Sequence, residues 1–361
     1  MRKIVLYPFS EEMIPFLSCD SKLLGGEIIS LISLKGGSII GNSYGYKNRK
    51  LKVNEMSHEV MEKCDLMLFD NSKEYEGIGN HIVGKVVSFV QRENHLMIFD
   101  YDNEITKEIK QRIPKEKIIY IKNNDYTHLV DEFACRIYNI DTPVVFVCSL
   151  FENLNKFDIQ ISLRKKLIYE KFNVLQIGSR KISDLLGFYS FPSFMYSKEH
   201  TEVKKMVMFN NLLKRLETEH KPDIIIVGVP GGILPFSNKC IGDLGVTMYE
   251  ITQAVRPDYV ILSMPYKKYT NSELQYMESV IKIKFNIEVD CFNVVEKSAL
   301  FEASESKGTV KYLTIDEKFV KDQIHELKSD NLYCLSDEKE VIRLKEDIIE
   351  KFLKYGSLTS I

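Results

Sequence analysis

The chain has 361 residues, of which 44% are hydrophobic and 28% are charged. This length exceeds what one hydrophobic core usually supports, so we expect two or three folded domains. The 49 Lys and Arg residues nearly balance the 51 Asp and Glu residues, which argues against nucleic acid as a partner. No apolar run is long enough to span a membrane and no signal peptide is recognised, so we predict a cytoplasmic protein without a membrane partner.

The seven cysteines are scattered along the chain, without a CxxC pair or a close Cys/His cluster. An odd number of cysteines in a cytoplasmic protein argues against a disulfide framework. We therefore interpret most of them as small buried hydrophobic residues and predict no metal site.

Short runs of β-branched and aromatic residues alternate with helix-length segments in the first part of the chain, which is typical of parallel βα units. The predicted strands are Ile4–Phe9, Glu27–Ser33, Asp65–Phe69, Leu96–Asp100 and Ile118–Ile121. The predicted helices are Met13–Leu24, Ser57–Lys63, Gly79–Glu93, Glu104–Arg112 and Thr127–Tyr138. Thr142-Pro143 then breaks the pattern, because proline cannot continue a helix. The sequence thus predicts a Rossmann-like α/β domain over residues 1–140.

A second alternating series follows, and its nearly continuous apolar strands indicate burial on both faces of a sheet. The predicted strands are Val144–Leu150, Val174–Gly178, Asp223–Val229, Tyr259–Met264 and Val289–Val294. The predicted helices are Lys156–Lys171, Thr201–His220, Gly245–Val255 and Asn271–Phe285. We predict a second doubly wound, mostly parallel α/β domain over residues 141–297.

Residues 298–361 form a predicted C-terminal α/β extension. It has two weak strands, Val310–Ile315 and Leu332–Leu335, and a charged amphipathic helix from Asp337 to Tyr355. The pattern is compatible with an addition to the second sheet and with a small third unit.

The first strand of the second domain enters a polar loop and then a helix that has Lys156 near its start. Phosphate-binding loops have this order, because backbone N–H groups and the helix N-terminus cradle the phosphate oxygens while a lysine reaches the outer phosphates. Aligned to GxxxxGK[ST], Lys156 falls on the motif lysine, but Leu150 and Asn155 replace the glycines and Phe157 replaces the magnesium-binding hydroxyl residue. Asn155 tolerates a left-handed backbone. The alternative is a helix cap at Asn153 or Asn155 beside a solvated lysine.

A second glycine-containing turn, Pro230-Gly231-Gly232, follows the strongly apolar strand at 223–229. Glycines at the carboxyl end of a strand permit close approach to a ligand, and ligands of doubly wound sheets bind at that edge. Arg180 follows another strand and is expected, with Lys156, to present two positive groups to an anion. The predicted binding residues are Glu152, Asn153, Asn155, Lys156, Gln160, Arg180, Gly231 and Gly232, with ATP or GTP as the candidate ligand.

The first domain has Tyr7-Pro8-Phe9-Ser10-Glu11-Glu12 after its first strand, so it lacks the glycines of a dinucleotide site and places carboxylates where a pyrophosphate would lie. We therefore predict no NAD site. In the second domain, the aromatic segment 188–196 is interpreted either as a plug at a domain interface or as the lip of a peptide site.

The chain resembles a clostridial family of peptide maturation system proteins over nearly its whole length, in the segments YPFSEEMIPF, VFVCSLFENLNKFDIQ, LQIGSRKISDLLGFYSFPSFM, IIIVGVPGGILPF, EITQAVRPDYVILS and VDCFNVV. That family occurs beside genes for ribosomally made, modified peptides, so the resemblance implies a pathway rather than a reaction. The two-domain plan is similar to that of a broader group of bacterial proteins that join a Rossmann-like first domain to a P-loop second domain. The strand and Pro-Gly turn at 223–231 resemble those of deviant P-loop proteins of the MinD and nitrogenase-iron-protein kind, in which an aspartate stands roughly where this chain has Gly228.

Two functions follow from these observations. The first is a component of peptide natural-product (bacteriocin-type) maturation with a nucleotide- or phosphate-binding pocket, whose partners are a precursor peptide or other maturation enzymes. The second is a non-catalytic scaffold or peptide-binding protein with a degenerate P-loop. A homodimer that completes its sites across a two-fold axis is a further expectation. No catalytic residue is predicted, so the sequence leaves open whether the protein is an enzyme.

Overall fold

The protein is described from a computed structural model. The structure describes residues 1–18, 24–37, 39–46, 49–70, 77–91, 94–99, 103–121, 126–130, 135–327 and 329–354. The chain folds into two compact units, one of residues 1–123 with 184–187 and the other of residues 124–183 with 188–361. The domain limits predicted at 140 and 297 stay a prediction.

The first unit is built on a seven-stranded sheet. Its strands are β1 (Arg2–Tyr7), β2 (Gly26–Ser33), β3 (Ser43–Tyr46), β4 (Arg49–Glu55), β5 (Leu66–Phe69), β6 (His95–Phe99) and β7 (Ile118–Ile121), and its helices are α1 (His58–Lys63), α2 (Gly79–Val90) and α3 (Glu104–Arg112). The order across the sheet is β3-β4-β2-β1-β5-β6-β7. Every strand pairing is parallel except the β3–β4 hairpin. The predicted Rossmann-like α/β class is confirmed.

Three features near the predicted elements differ from the sequence prediction. The helix predicted at Met13–Leu24 is a 3₁₀ segment at Glu11–Ser18, and Pro15 inside it removes a backbone donor; residues 19–23 lie outside the described residues. The helix predicted at Thr127–Tyr138 is wrong over its described part, which has a 3₁₀ turn at Thr127–Leu129 and irregular backbone from 135 onward. The β3–β4 hairpin was not predicted, because lysines alternate with its few apolar residues.

The second unit also has a seven-stranded sheet. Its strands are β8 (Val144–Ser149), β9 (Val174–Gly178), β10 (Tyr189–Ser190), β11 (Ile224–Gly228), β12 (Tyr259–Pro265), β13 (Cys291–Val295) and β16 (Leu332–Tyr333), and a separate hairpin pairs β14 (Lys297–Ala299) with β15 (Tyr312–Thr314). Its helices are α4 (Lys156–Tyr169), α5 (Glu202–His220), α6 (Val246–Ala254), α7 (Asn271–Phe285), α8 (Phe301–Lys307), α9 (Glu317–Glu326) and α10 (Glu338–Lys354). The order across the sheet is β10-β9-β11-β8-β12-β13-β16, and all its pairings are parallel.

The second sheet is covered on both faces, as its continuous apolar strands predict. Residues of α4 and α10 share one buried cluster with one set of strand side chains, whereas α5, α6 and α7 pack on the other face. The chain therefore leaves β8 toward one face and leaves the neighbouring β11 toward the other. A crevice opens at such a switch point, at the carboxyl ends of the strands, and ligands of doubly wound folds bind there.

The C-terminal extension adds to the second sheet, which decides between the two arrangements that the sequence left open. Strand β16 pairs with β13, and α10 packs against α4, where Lys345 Nζ lies 2.6 Å from Glu170 Oε1.

The aromatic segment 188–196 is mostly part of the second unit's own core. Phe191 and Phe194 are buried, and the Phe191 ring lies 5.8 Å from the ring of Phe209 on α5. Tyr196 is exposed. Most of the segment therefore stabilises the unit's own core, and both interpretations of it, the plug and the lip, stay predictions.

Five of the cysteines are buried, as expected, and Cys135 is exposed, whereas Cys19 lies outside the described residues. Among the described residues, no helix is long and apolar enough to cross a membrane.

Candidate phosphate-binding site

The loop between β8 and α4, residues 150–155, has the backbone of an anion-binding turn. Asn153 and Asn155 adopt left-handed conformations, with φ of 61° and 53°. Asn is among the few residues other than glycine that tolerate this region, so Asn155 has the left-handed backbone at the motif position where it replaces a glycine, whereas Leu150 at the other glycine position does not. The Asn155 side chain makes no capping hydrogen bond, so it does not serve as an ordinary helix cap.

The N–H groups of this loop and of the first turn of α4 are available for a ligand. Within the described part of the chain, we find no hydrogen-bond acceptor for the N–H groups of residues 151–157. Successive N–H groups around left-handed residues form a concave, electropositive nest, and the amino end of a 14-residue helix adds its dipole. The loop therefore offers the environment that an anionic oxygen requires.

Lys156 is the first residue of α4 and is half-buried rather than solvated. Its ammonium group donates a short hydrogen bond to the carbonyl oxygen of Gly231. Burial, with a smaller contribution from the nearby Arg180 guanidinium, lowers the pKa of Lys156 to about 8. The structure thus brings together a lysine and a glycine turn that are 75 residues apart in the sequence.

The Pro230-Gly231-Gly232 turn lies directly against the loop. Gly231 has a φ of 70°, and a Cβ atom on Gly232 would lie 2.8 Å from the Cα atom of Phe151. After the turn, Ile233 N–H donates to the Ser149 oxygen at 3.0 Å and Leu234 N–H donates to the Leu150 oxygen at 3.1 Å. Glycine is required at 232 because two backbone segments meet there with no room for a side chain.

Gln160, predicted as a ligand-binding residue, is fully buried and braces the site from behind. Its side-chain oxygen accepts from Ser179 N–H at 3.2 Å, and its amide nitrogen donates to the Ser179 hydroxyl at 3.1 Å and to the Lys156 oxygen at 3.0 Å. A Cβ atom on Gly228 would overlap the Gln160 carboxamide. The absence of a side chain at Gly228 therefore leaves room for the Gln160 carboxamide.

Arg180 lies at the carboxyl end of β9, with its guanidinium carbon 5.0 Å from the ring centroid of Phe157. Phe157 is fully buried, so the residue at the motif's hydroxyl position packs into the core. The Arg180 guanidinium is one of the charges that lower the pKa of Lys156.

Two residues that the sequence analysis did not select hold the loop in place. Lys297 Nζ donates to the Asn153 oxygen at 2.9 Å, and the Tyr312 hydroxyl donates to the exposed Glu152's backbone oxygen at 2.7 Å. Both come from the β14–β15 hairpin, which lies much further along the chain. No local motif marks them, and only the pairing of that hairpin could have indicated them.

A buried carboxyl group lies on the neighbouring helix α6. Glu250 is 3% exposed, and its Oε1 atom has no hydrogen-bond partner, with Lys205 Nζ 3.9 Å away. Burial and the adjacent Glu202 carboxylate raise the pKa of Glu250 to about 8. The Asp243 carboxylate, which lies against Gly231, makes a smaller contribution to this raised pKa.

Known structures support the fold. No protein-family model and no curated protein sequence matches the chain. A DUF1611 family protein from Anabaena variabilis ATCC 29413 superposes with a TM-score of 0.62 at 9% identity, over 98% of this chain and 100% of that one. The chain therefore shares the fold of that protein along nearly its whole length.

Two further structures align over parts of the chain. A plasmid partition protein from Borrelia burgdorferi gives a TM-score of 0.34 at 17% identity, over 59% of this chain and 99% of that one. A GTPase from Pyrococcus abyssi gives 0.25 at 11% identity, over 43% of this chain and 67% of that one. The resemblance to peptide maturation system proteins stays a prediction.

Proposed function

We propose that the loop of residues 150–157 binds the phosphate groups of a nucleotide. The observation that carries this proposal is the run of N–H groups at 151–157, which have no acceptor among the described residues and lie around two left-handed asparagines at the start of α4. Lys156 adds a positive charge: its ammonium group donates to the Gly231 oxygen in this structure and can donate to a phosphate when one is bound. ATP and GTP are the candidate ligands.

Magnesium is the metal that phosphate-binding loops of this kind imply, and the residues present do not fit it. Phe157 replaces the hydroxyl ligand and is fully buried, and Gly228 stands where the related proteins carry an acid. Among the described residues, no group of three His, Cys, Asp or Glu side chains could hold a metal. We therefore infer that phosphate binding needs no magnesium ligand from this loop.

Thermal unfolding of the full chain tests the proposal. A ligand that binds only the native state raises the melting temperature, so we expect ATP or GTP at millimolar concentration to raise it with and without magnesium. Lys156→Met should abolish the shift. Lys165→Met, on the exposed face of the same helix, is the matched control and should keep it. No shift with ATP, GTP or ADP would refute the proposal.

We further propose that this site serves peptide natural-product maturation. The sequence resemblance supports this assignment, and the exposed Tyr196 beside the buried aromatic segment offers a contact for a precursor peptide or a maturation enzyme. Copurification of the protein with the products of adjacent peptide-maturation genes would test it, and the Tyr196→Ala variant shows whether that contact is used.

A second candidate is a non-catalytic scaffold. The buried Phe157 and the missing acid at Gly228 favour it, because both changes remove groups that nucleotide hydrolysis uses. If the protein is a scaffold, it either binds nucleotides without hydrolysing them or does not bind them. Hydrolysis of ATP or GTP by the unchanged protein, measured as phosphate release and lost in Lys156→Met, would exclude the scaffold function.

A further inference from the structure

A cavity of about 350 Å³ lies in the second unit, between the segment 266–271 and helix α9. The buried side chains of Val294 and Leu332 contribute to its apolar lining, and the half-buried Tyr266 lies at its side. Small-molecule sites typically combine such an apolar lining with a few polar groups, and this volume is within their range.

The cavity is connected to the phosphate-binding loop through one residue. Tyr266 N–H donates to the Lys297 backbone oxygen at 2.7 Å, and Lys297 Nζ donates to the Asn153 oxygen at 2.9 Å. Lys297 therefore touches the wall of the cavity with its backbone and the loop with its side chain. Strand β12, which ends at the cavity, also pairs directly with β8, which ends at the loop.

The cavity is lined by charges of both signs, Lys267 and Lys268 on one segment and Glu326 on α9, so it suits a neutral ring better than a second anion. Glu273 already caps the amino end of α7 together with Thr270, and its carboxylate lies 2.7 Å from Lys267 Nζ. The N–H groups at the amino end of α7 and the charge of Lys267 therefore already have partners. Asn271 and Gln323 contribute carboxamides, which can donate to and accept from the polar edge of a heterocycle.

We propose that this cavity holds the purine base of the nucleotide whose phosphates occupy the loop of residues 150–157. The inference rests on the proposed function and adds to it the site at which the base of the nucleotide binds. Tyr266 supplies an aromatic face for the base, and Gln323 supplies hydrogen bonds to its edge. The Tyr266 ring now packs against Phe319, at a centroid distance of 5.6 Å, and remains half-buried.

Calorimetric titration of the full chain with ATP, GTP, inorganic tripolyphosphate and adenosine separates the two sites. We expect ATP or GTP to bind at least about tenfold more tightly than tripolyphosphate, because stacking of a base on an aromatic side chain adds an effect of this order. Tyr266→Ala and Gln323→Ala should each weaken the preferred nucleotide about fivefold to tenfold and leave tripolyphosphate unchanged. Gln275→Ala and Tyr276→Ala, on exposed positions of α7, are the matched controls.

The outcomes distinguish the failure of this inference from the failure of the proposed function. Equal affinities for the nucleotides and tripolyphosphate would overturn the base site and leave the phosphate site standing. Adenosine binding that survives Lys156→Met but is lost in Tyr266→Ala would support the base site independently of the phosphate site. No binding of any of the four compounds would overturn both.

Discussion

The close approach of Gly228 to Gln160 allows a quantitative prediction about the hydrogen bonds that the Gln160 side chain makes behind the loop. An alanine at 228 would displace the Gln160 carboxamide, because its methyl group would occupy the same space. Three hydrogen bonds would then be lost, two to Ser179 and one to the Lys156 oxygen. At about 1 kcal/mol for each bond, Gly228→Ala should lower the free energy of unfolding by about 3 kcal/mol.

The same three bonds are lost in Gln160→Ala, so the two substitutions should not add. We expect the double variant to be destabilised by about 3 kcal/mol, because the methyl group introduced at position 228 enters space that the glutamine side chain has left. Urea unfolding followed by far-ultraviolet circular dichroism measures all three variants. Gly84→Ala in α2, where a Cβ atom meets nothing within 4 Å, is the control and should be neutral or slightly stabilising. A double variant destabilised by about 6 kcal/mol, the sum expected for independent sites, would refute the reasoning.

Three further predictions concern the glycine turn and the two buried charges. Gly232→Ala should weaken tripolyphosphate binding about tenfold in calorimetry, since its Cβ atom meets the Phe151 backbone and pushes the turn off the loop; an unchanged affinity would contradict this packing. Tripolyphosphate affinity should fall as the pH rises above about 8, where Lys156 loses its proton, and Lys156→Arg, whose side chain stays protonated, should remove that pH dependence. Because the pKa of Glu250 is raised to about 8, the folded state holds more protons than the unfolded state between pH 4.5 and 8, so stability falls as the pH rises through this window. Glu250→Gln should therefore raise the melting temperature more at pH 8 than at pH 5, and an equal rise at both would disprove the assignment.

The α/β class and most strands of both sheets followed from the sequence, because short buried strands have a strong local signature. The runs IIIVG and YVILSMP are apolar apart from Ser263 and are buried along their whole length. The elements that were wrong or missed have weak signatures. Pro15 interrupts a helical pattern, and the lysine-rich β4 resembles a surface loop.

The residues of the candidate site also divide into features that local sequence patterns predict and contacts that they do not. The sequence alone determined that Lys156 starts a helix after a buried strand and that a glycine turn follows another strand, since both are local patterns. Only the tertiary structure decided what these residues touch. It placed Lys156 on the Gly231 oxygen, turned Gln160 inward against Gly228, and brought Lys297 from the β14–β15 hairpin to the loop. The physical reason is that hydrogen bonds and close contacts depend on sheet order and on which face each connection crosses, and both are set by packing between segments far apart in the chain.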